Sequence, residues 1–162
     1  MKKTIGLFLV VFFQLATVCR ISYNELGERT YLYYLDGQPV YPVCTTENYP
    51  YARSMGGGGL AVHLCNEDVR MNLDYRIAAY QGPGKYAYGA PKNKVEIIYT
   101  EGLHVFDSVH PGSYIYILEW DAQKGFISAV FEAHVSDSLG HERHITSGRI
   151  NLFAKPDIPD ND

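Results

Sequence analysis

Every second residue from Arg70 to Ile77 is apolar: Met71, Leu73, Tyr75 and Ile77 alternate with Arg70, Asn72, Asp74 and Arg76. Side chains of an extended strand point to opposite faces in turn, so a period of two predicts a strand with one face against a core and the other in water. The stretch from Phe126 to Val135 repeats the logic, with Ile127, Ala129, Phe131, Ala133 and Val135 inward and Ser128, Glu132 and His134 outward. Thr30 to Leu35, Leu60 to Leu64, Val95 to Tyr99, Tyr114 to Trp120 and Ile150 to Phe153 are further runs rich in β-branched and aromatic residues. No convincing stripe of 3.6-residue period competes with them.

Turn chemistry falls between these runs. Asp36-Gly37 predicts a tight hairpin, because glycine takes positive φ without steric cost, and Pro39 then suits an edge strand or a strand start. Gln81-Gly82-Pro83-Gly84, His110-Pro111-Gly112, Gln123-Lys124-Gly125 and Ser138-Leu139-Gly140 are the other breaks. Short antiparallel strands at this spacing predict an all-β fold, an antiparallel two-sheet β-sandwich, with a small β-barrel as the alternative. A parallel sheet needs crossovers of about a dozen residues or more, and the patterning for them is missing.

The N-terminus has a different character. Lys2 and Lys3 precede an apolar run from Ile5 to Phe13, which leads into Gln14-Leu15-Ala16-Thr17-Val18-Cys19. That is the layout of a secretion signal, and the run falls short of the roughly 20 apolar residues that a membrane-spanning helix needs. The expected organisation is a signal peptide over 1–18, a tether over 19–30, one β-sandwich domain over 31–155 and an acidic tail over 156–162. Cys19 stands where a lipoprotein signal peptidase leaves a cysteine to carry lipid, although Val18 is bulky for that motif; an ordinary signal peptide cut nearby is the alternative. A lipid there makes the membrane a partner and places the domain in the periplasm or at the outer membrane, the cell surface included.

Three cysteines in an oxidising compartment leave Cys44 and Cys65 as an even pair if Cys19 is lipidated. A disulfide between them would close a loop worth roughly 3 kcal/mol, while two separate buried thiols fit the sequence as well. Loss of Lys2 and Lys3 with the signal turns 14 basic against 18 acidic residues, −4, into 12 against 18, −6. With that charge and no basic cluster, nucleic acid is not an expected partner.

Several constellations invite chemistry and are weak. His141, Glu142 and His144 could share a metal with Asp137, but positions 141 and 144 of a strand face opposite ways, so a solvated hairpin tip is the expected reading and no metal site is assigned. Ser54, Ser108 and Ser113 read as loop serines without the Gly-x-Ser-x-Gly context of a nucleophile. Glu96, Glu101, Glu119 and Asp121 are the acids a glycosidase would pair, though single exposed acids on strands serve solubility as well. Gly56 to Gly59 lack the Lys-Ser/Thr of a phosphate-binding loop and read as a flexible loop. No catalytic residue and no cofactor is therefore expected.

Tyrosine is over-represented, with 14 in 162 residues. Tyr49, Tyr51, Tyr86 and Tyr88 flank glycine-rich segments and could line loops at one end of a sandwich, where rigid rings with a hydroxyl suit sugar or protein surfaces. Tyrosine is also an ordinary strand residue, and plain structure is the competing explanation.

Gly112-Ser113-Tyr114-Ile115-Tyr116-Ile117, Lys124-Gly125-Phe126-Ile127-Ser128-Ala129-Val130-Phe131-Glu132-Ala133, Ile145-Thr146-Ser147-Gly148-Arg149-Ile150-Asn151-Leu152 and Leu35-Asp36-Gly37-Gln38-Pro39-Val40-Tyr41-Pro42 together resemble small Bacteroidetes-type envelope lipoproteins of unknown function. The resemblance implies a β-sandwich with a lipid anchor and no established catalytic residue. It transfers no site. The expected function is a non-enzymatic binding or scaffolding module of the cell envelope that meets a glycan or another envelope protein. A carbohydrate-binding module using loop tyrosines and an envelope hydrolase are the rivals.

Overall fold

The structure, a computed structural model, describes residues 29–41, 50–67, 70–90 and 95–153. Twelve strands run through them: β1 (Arg29–Leu35), β2 (Gln38–Val40), β3 (Tyr51–Met55), β4 (Gly59–Asn66), β5 (Met71–Ile77), β6 (Gly84–Ala87), β7 (Val95–Glu101), β8 (His104–Phe106), β9 (Ser108–Val109), β10 (Tyr114–Asp121), β11 (Phe126–Ser136) and β12 (Glu142–Phe153). They form two antiparallel sheets. One has the order β2-β1-β12-β11-β10-β6 with β9 paired to the far part of β11, and the other runs β3-β4-β5-β7-β8. The sheets face each other as a sandwich and do not close into a barrel.

Alternation decides which side chains meet between them. Met71, Leu73, Tyr75 and Ile77 of β5 are buried, as are Ile127, Ala129, Phe131, Ala133 and Val135 of β11. Tyr33, Tyr75, Tyr99, Phe106 and Phe131 are the largest fully buried side chains, and each such burial contributes about 1.5–3 kcal/mol. Tyr75 meets the Phe131 ring edge-on with centroids 5.3 Å apart, and Tyr33 meets it tilted at 5.9 Å, so rings from both sheets interlock.

The β1–β2 turn has Asp36 at φ 48° and Gly37 at φ 82°, the paired positive values of a two-residue hairpin whose twist matches its strands. Pro39 lies in β2 at the edge of its sheet, where a missing N–H costs no ladder bond.

Some expectations need correction. Gly56 to Gly59 do not form an open loop: Gly56–Gly58 make a short 3-10 turn and Gly59 already pairs with Met55 across the β3–β4 hairpin. Glu142 and His144 are not a loop tip, because β12 begins at Glu142 and continues past an irregularity opposite Glu132 as one strand. Ser54 lies in β3 and Ser108 in β9 rather than in loops.

Candidate functional site

His134 points outward from β11, between the buried Ala133 and Val135. Its partner in the β11–β12 ladder is His144, and on its other side His110, just past β9, donates its backbone N–H to the His134 carbonyl at 2.9 Å. Two paired strands and the residue just past β9 thus bring three imidazoles into one row. The His110 and His134 rings stack with centroids 4.1 Å apart, and His134 and His144 stack at 3.9 Å.

Two short-range devices hold the row. Ser113, 2 % exposed, accepts the His134 N–H at 3.0 Å and donates to the His110 carbonyl at 2.9 Å, stitching the segment after β9 to β11. This serine stands in a structural turn with its hydroxyl committed, which is not the nucleophile's setting. The Asp36 carboxylate accepts the His144 N–H at 2.9 Å and its own N–H donates back to the His144 carbonyl, so the β1–β2 turn fixes the start of β12.

Glu142 shares the outer face with His144, two residues along β12. Its Oε2 lies 3.2 Å from His134 Nε2 and 3.7 Å from His144 Nε2, while His110 Nε2 is 3.0 Å from Ser136 Oγ. One potential ligand atom from each of His110, His134 and Glu142 falls within 4.8 Å of the others. The hydrogen bond from His134 holds the Glu142 carboxyl below its ordinary pKa against some desolvation, and the nearby His110 and His144 act in the same direction.

A second histidine pair borders the row. Asp137 in the β11–β12 turn accepts the N–H groups of Leu139 and His141 on Oδ1, each at 2.9 Å, and its Oδ2 lies 2.8 Å from His141 Nδ1 and 3.9 Å from His104 Nδ1. Asp137 and His141 therefore do meet, but His144 stacks on His134 instead. Five of the six histidines thus fall into two groups carried by neighbouring stretches of chain: His110, His134 and His144 in the stacked row, and His104 and His141 around Asp137. The outward parity of His134 was readable; that His110 would arrive beside it depended on β9 pairing, which two residues of strand do not announce.

The other sequence candidates are dispersed. Tyr51 on β3 stacks on His63, whose Nδ1 lies 2.8 Å from Asp74, all on the five-stranded sheet. Tyr86 on β6 is only 3 % exposed, accepting the Gln81 N–H and donating to the Gly82 carbonyl, while Tyr88 beyond it is 41 % exposed. Tyr49 lies outside the described residues. Glu101 pairs with Arg143, Asp121 accepts the N–H groups of Gln123 and Lys124 at 3.0 Å, Glu96 faces Arg76, and Glu119 stands on the opposite sheet from Glu96 and Glu101, so the four acids do not converge. Cys65 is disulfide-bonded, and Cys19 and Cys44 lie outside the described residues.

Compared with protein-family models, curated proteins and solved structures, the chain matches none.

Proposed function

We propose that this chain is an exported, lipid-tethered, non-enzymatic binding or scaffolding module of the cell envelope, and that the histidine-lined end of its sandwich is the binding face. The observation that carries the reading is the ordered row of His134, His144 and Glu142 on paired strands with His110 hydrogen-bonded beside them, half-exposed to exposed. Groups held on strands keep their geometry better than groups on loops, which suits recognition. The address rests on the charged, apolar and small-residue order of the first nineteen residues and on Cys19.

Mass analysis of the intact protein recovered from membranes tests the tether: a diacylglyceryl or triacyl addition on a chain beginning at Cys19 is expected. An unmodified chain retaining its leader in the cell interior would overturn the address. Turnover of an envelope polymer, abolished by a single carboxylate substitution, would replace the binding reading with a hydrolase. Glycan binding lost on Tyr51→Ala or Tyr88→Ala would move the binding face to the tyrosines.

A further inference from the structure

The row of imidazoles has the chemistry of a metal site. Neutral imidazole nitrogen is the ligand preferred by zinc, copper and nickel, and one carboxylate beside two or three such nitrogens completes a common donor set. We infer that His110, His134 and Glu142, flanked by His144, bind one divalent first-row transition cation, with zinc as the probe ion, on the outer face of the seven-stranded sheet.

Three observations carry this. The His110, His134 and Glu142 donor atoms lie within 4.8 Å of one another, whereas tetrahedral zinc with bonds of about 2.0–2.1 Å sets its donors roughly 3.3–3.4 Å apart. Closing that difference takes rotation of the His110 and His134 rings out of their stack, so that both in-plane nitrogen lone pairs point at one ion, with the strands left in place. The Glu142 carboxylate already touches His134 Nε2 at 3.2 Å and lies 3.7 Å from His144 Nε2, so a cation inserted there would replace a weak hydrogen bond with ligation and gain a negative charge. Buried Ser113 fixes the His110 and His134 backbones relative to each other, so the two main ligands need no folding step to approach.

The nearby Asp137 with His104 and His141 is the competing location. There the Asp137 Oδ1 already serves two backbone N–H groups, and the two rings have centroids 6.4 Å apart. Magnesium and calcium are poor fits, since they prefer all-oxygen shells.

The inference rests on the reading of this end as a binding face and names its ligand. The test is calorimetric titration of the chelator-stripped, full-length protein with zinc, with folding of every variant checked by circular dichroism. One equivalent of zinc is expected to bind. Loss of even an outer-shell partner typically weakens a metal site about 10–100-fold, so His110→Ala and His134→Ala should each weaken binding about tenfold or more. Glu142→Gln should weaken it too, while the His104→Ala, His141→Ala double variant and His63→Ala should bind as the parent does. Absence of saturable zinc binding by the folded parent overturns the inference. So does binding that survives loss of His110 and His134 together, or that disappears only with His104 and His141. None of these outcomes alters the intact mass that reports the lipid tether, so the two proposals fail separately.

Discussion

Phe131 of β11 stands directly opposite Gly148 of β12, and its ring occupies the space that any side chain at that position would need. A Cβ on Gly148 would come closer than 3.0 Å to three ring carbons. The ring has nowhere to go, because it is 1 % exposed and wedged against Tyr33 and Tyr75. Gly148→Ala is expected to destabilise the fold by about 1–3 kcal/mol, the usual cost of overpacking a filled core. Urea unfolding reads this as a lower midpoint at unchanged slope, and a midpoint equal to the parent's would refute the ring's role.

Arg143 occupies an inward-facing position of β12 at the open end of the sandwich, opposite the buried Val135. It donates Nε–H and Nη2–H to the same Glu101 oxygen, at 2.9 and 2.8 Å, and its guanidinium lies 5.1 Å from the Phe106 ring centre. One side chain thereby joins the two sheets. Both partners are about a third exposed, so solvent screening discounts the pair, and a double-mutant cycle on Arg143→Met and Glu101→Gln is expected to give a coupling of about 1 kcal/mol. Additive single effects would mean that the pair bridges the sheets without stabilising them.

Two buried tyrosines should respond oppositely to loss of the hydroxyl. Tyr75 Oη is buried with no partner among the described residues, whereas Tyr86 Oη donates to Gly82 and accepts from Gln81. Burial also drives the Tyr75 pKa far upward, which marks the same dry setting. Tyr75→Phe removes an unmet desolvation cost and is expected to leave stability unchanged or raise it, while Tyr86→Phe should lose about 0.5–1.5 kcal/mol. Thermal unfolding of the two variants side by side decides this, and a destabilised Tyr75→Phe would mean that its hydroxyl has a partner, such as water.

The strands that build the core were legible wherever alternation was long. All nine inward positions read on β5 and β11, Met71, Leu73, Tyr75, Ile77, Ile127, Ala129, Phe131, Ala133 and Val135, are buried, because burial of one face enforces the period. Strands of two to five residues, β3, β6, β8 and β9, carry too few alternations to stand out, and their ends are set by partners distant in sequence. That is why Tyr86 read as a loop ring although it belongs to the core. The histidine row was hidden for the same reason: His134 and His144 were visible separately, and only the strand register and the short β9 put His110 with them. The close fit of Gly148 under Phe131 depends on facing side chains, which no local pattern encodes.

Asp137 gives the clearest pH dependence. Desolvation in its turn would raise the carboxyl pKa, but hydrogen bonds from the His141 side chain and from the N–H groups of His141 and Leu139 outweigh it and hold the value below the ordinary 3.8. A carboxyl with a depressed folded-state pKa contributes stability above its ordinary value, and that contribution disappears as pH falls through the lower folded value. The parent should therefore exceed Asp137→Ala in stability at about pH 5, and the margin should shrink as the pH drops below the ordinary carboxylate range. Denaturant midpoints of both proteins across the acid range measure it. A margin that stays constant into strong acid would show that the turn is held by backbone geometry and packing, and that the charge on Asp137 does not contribute.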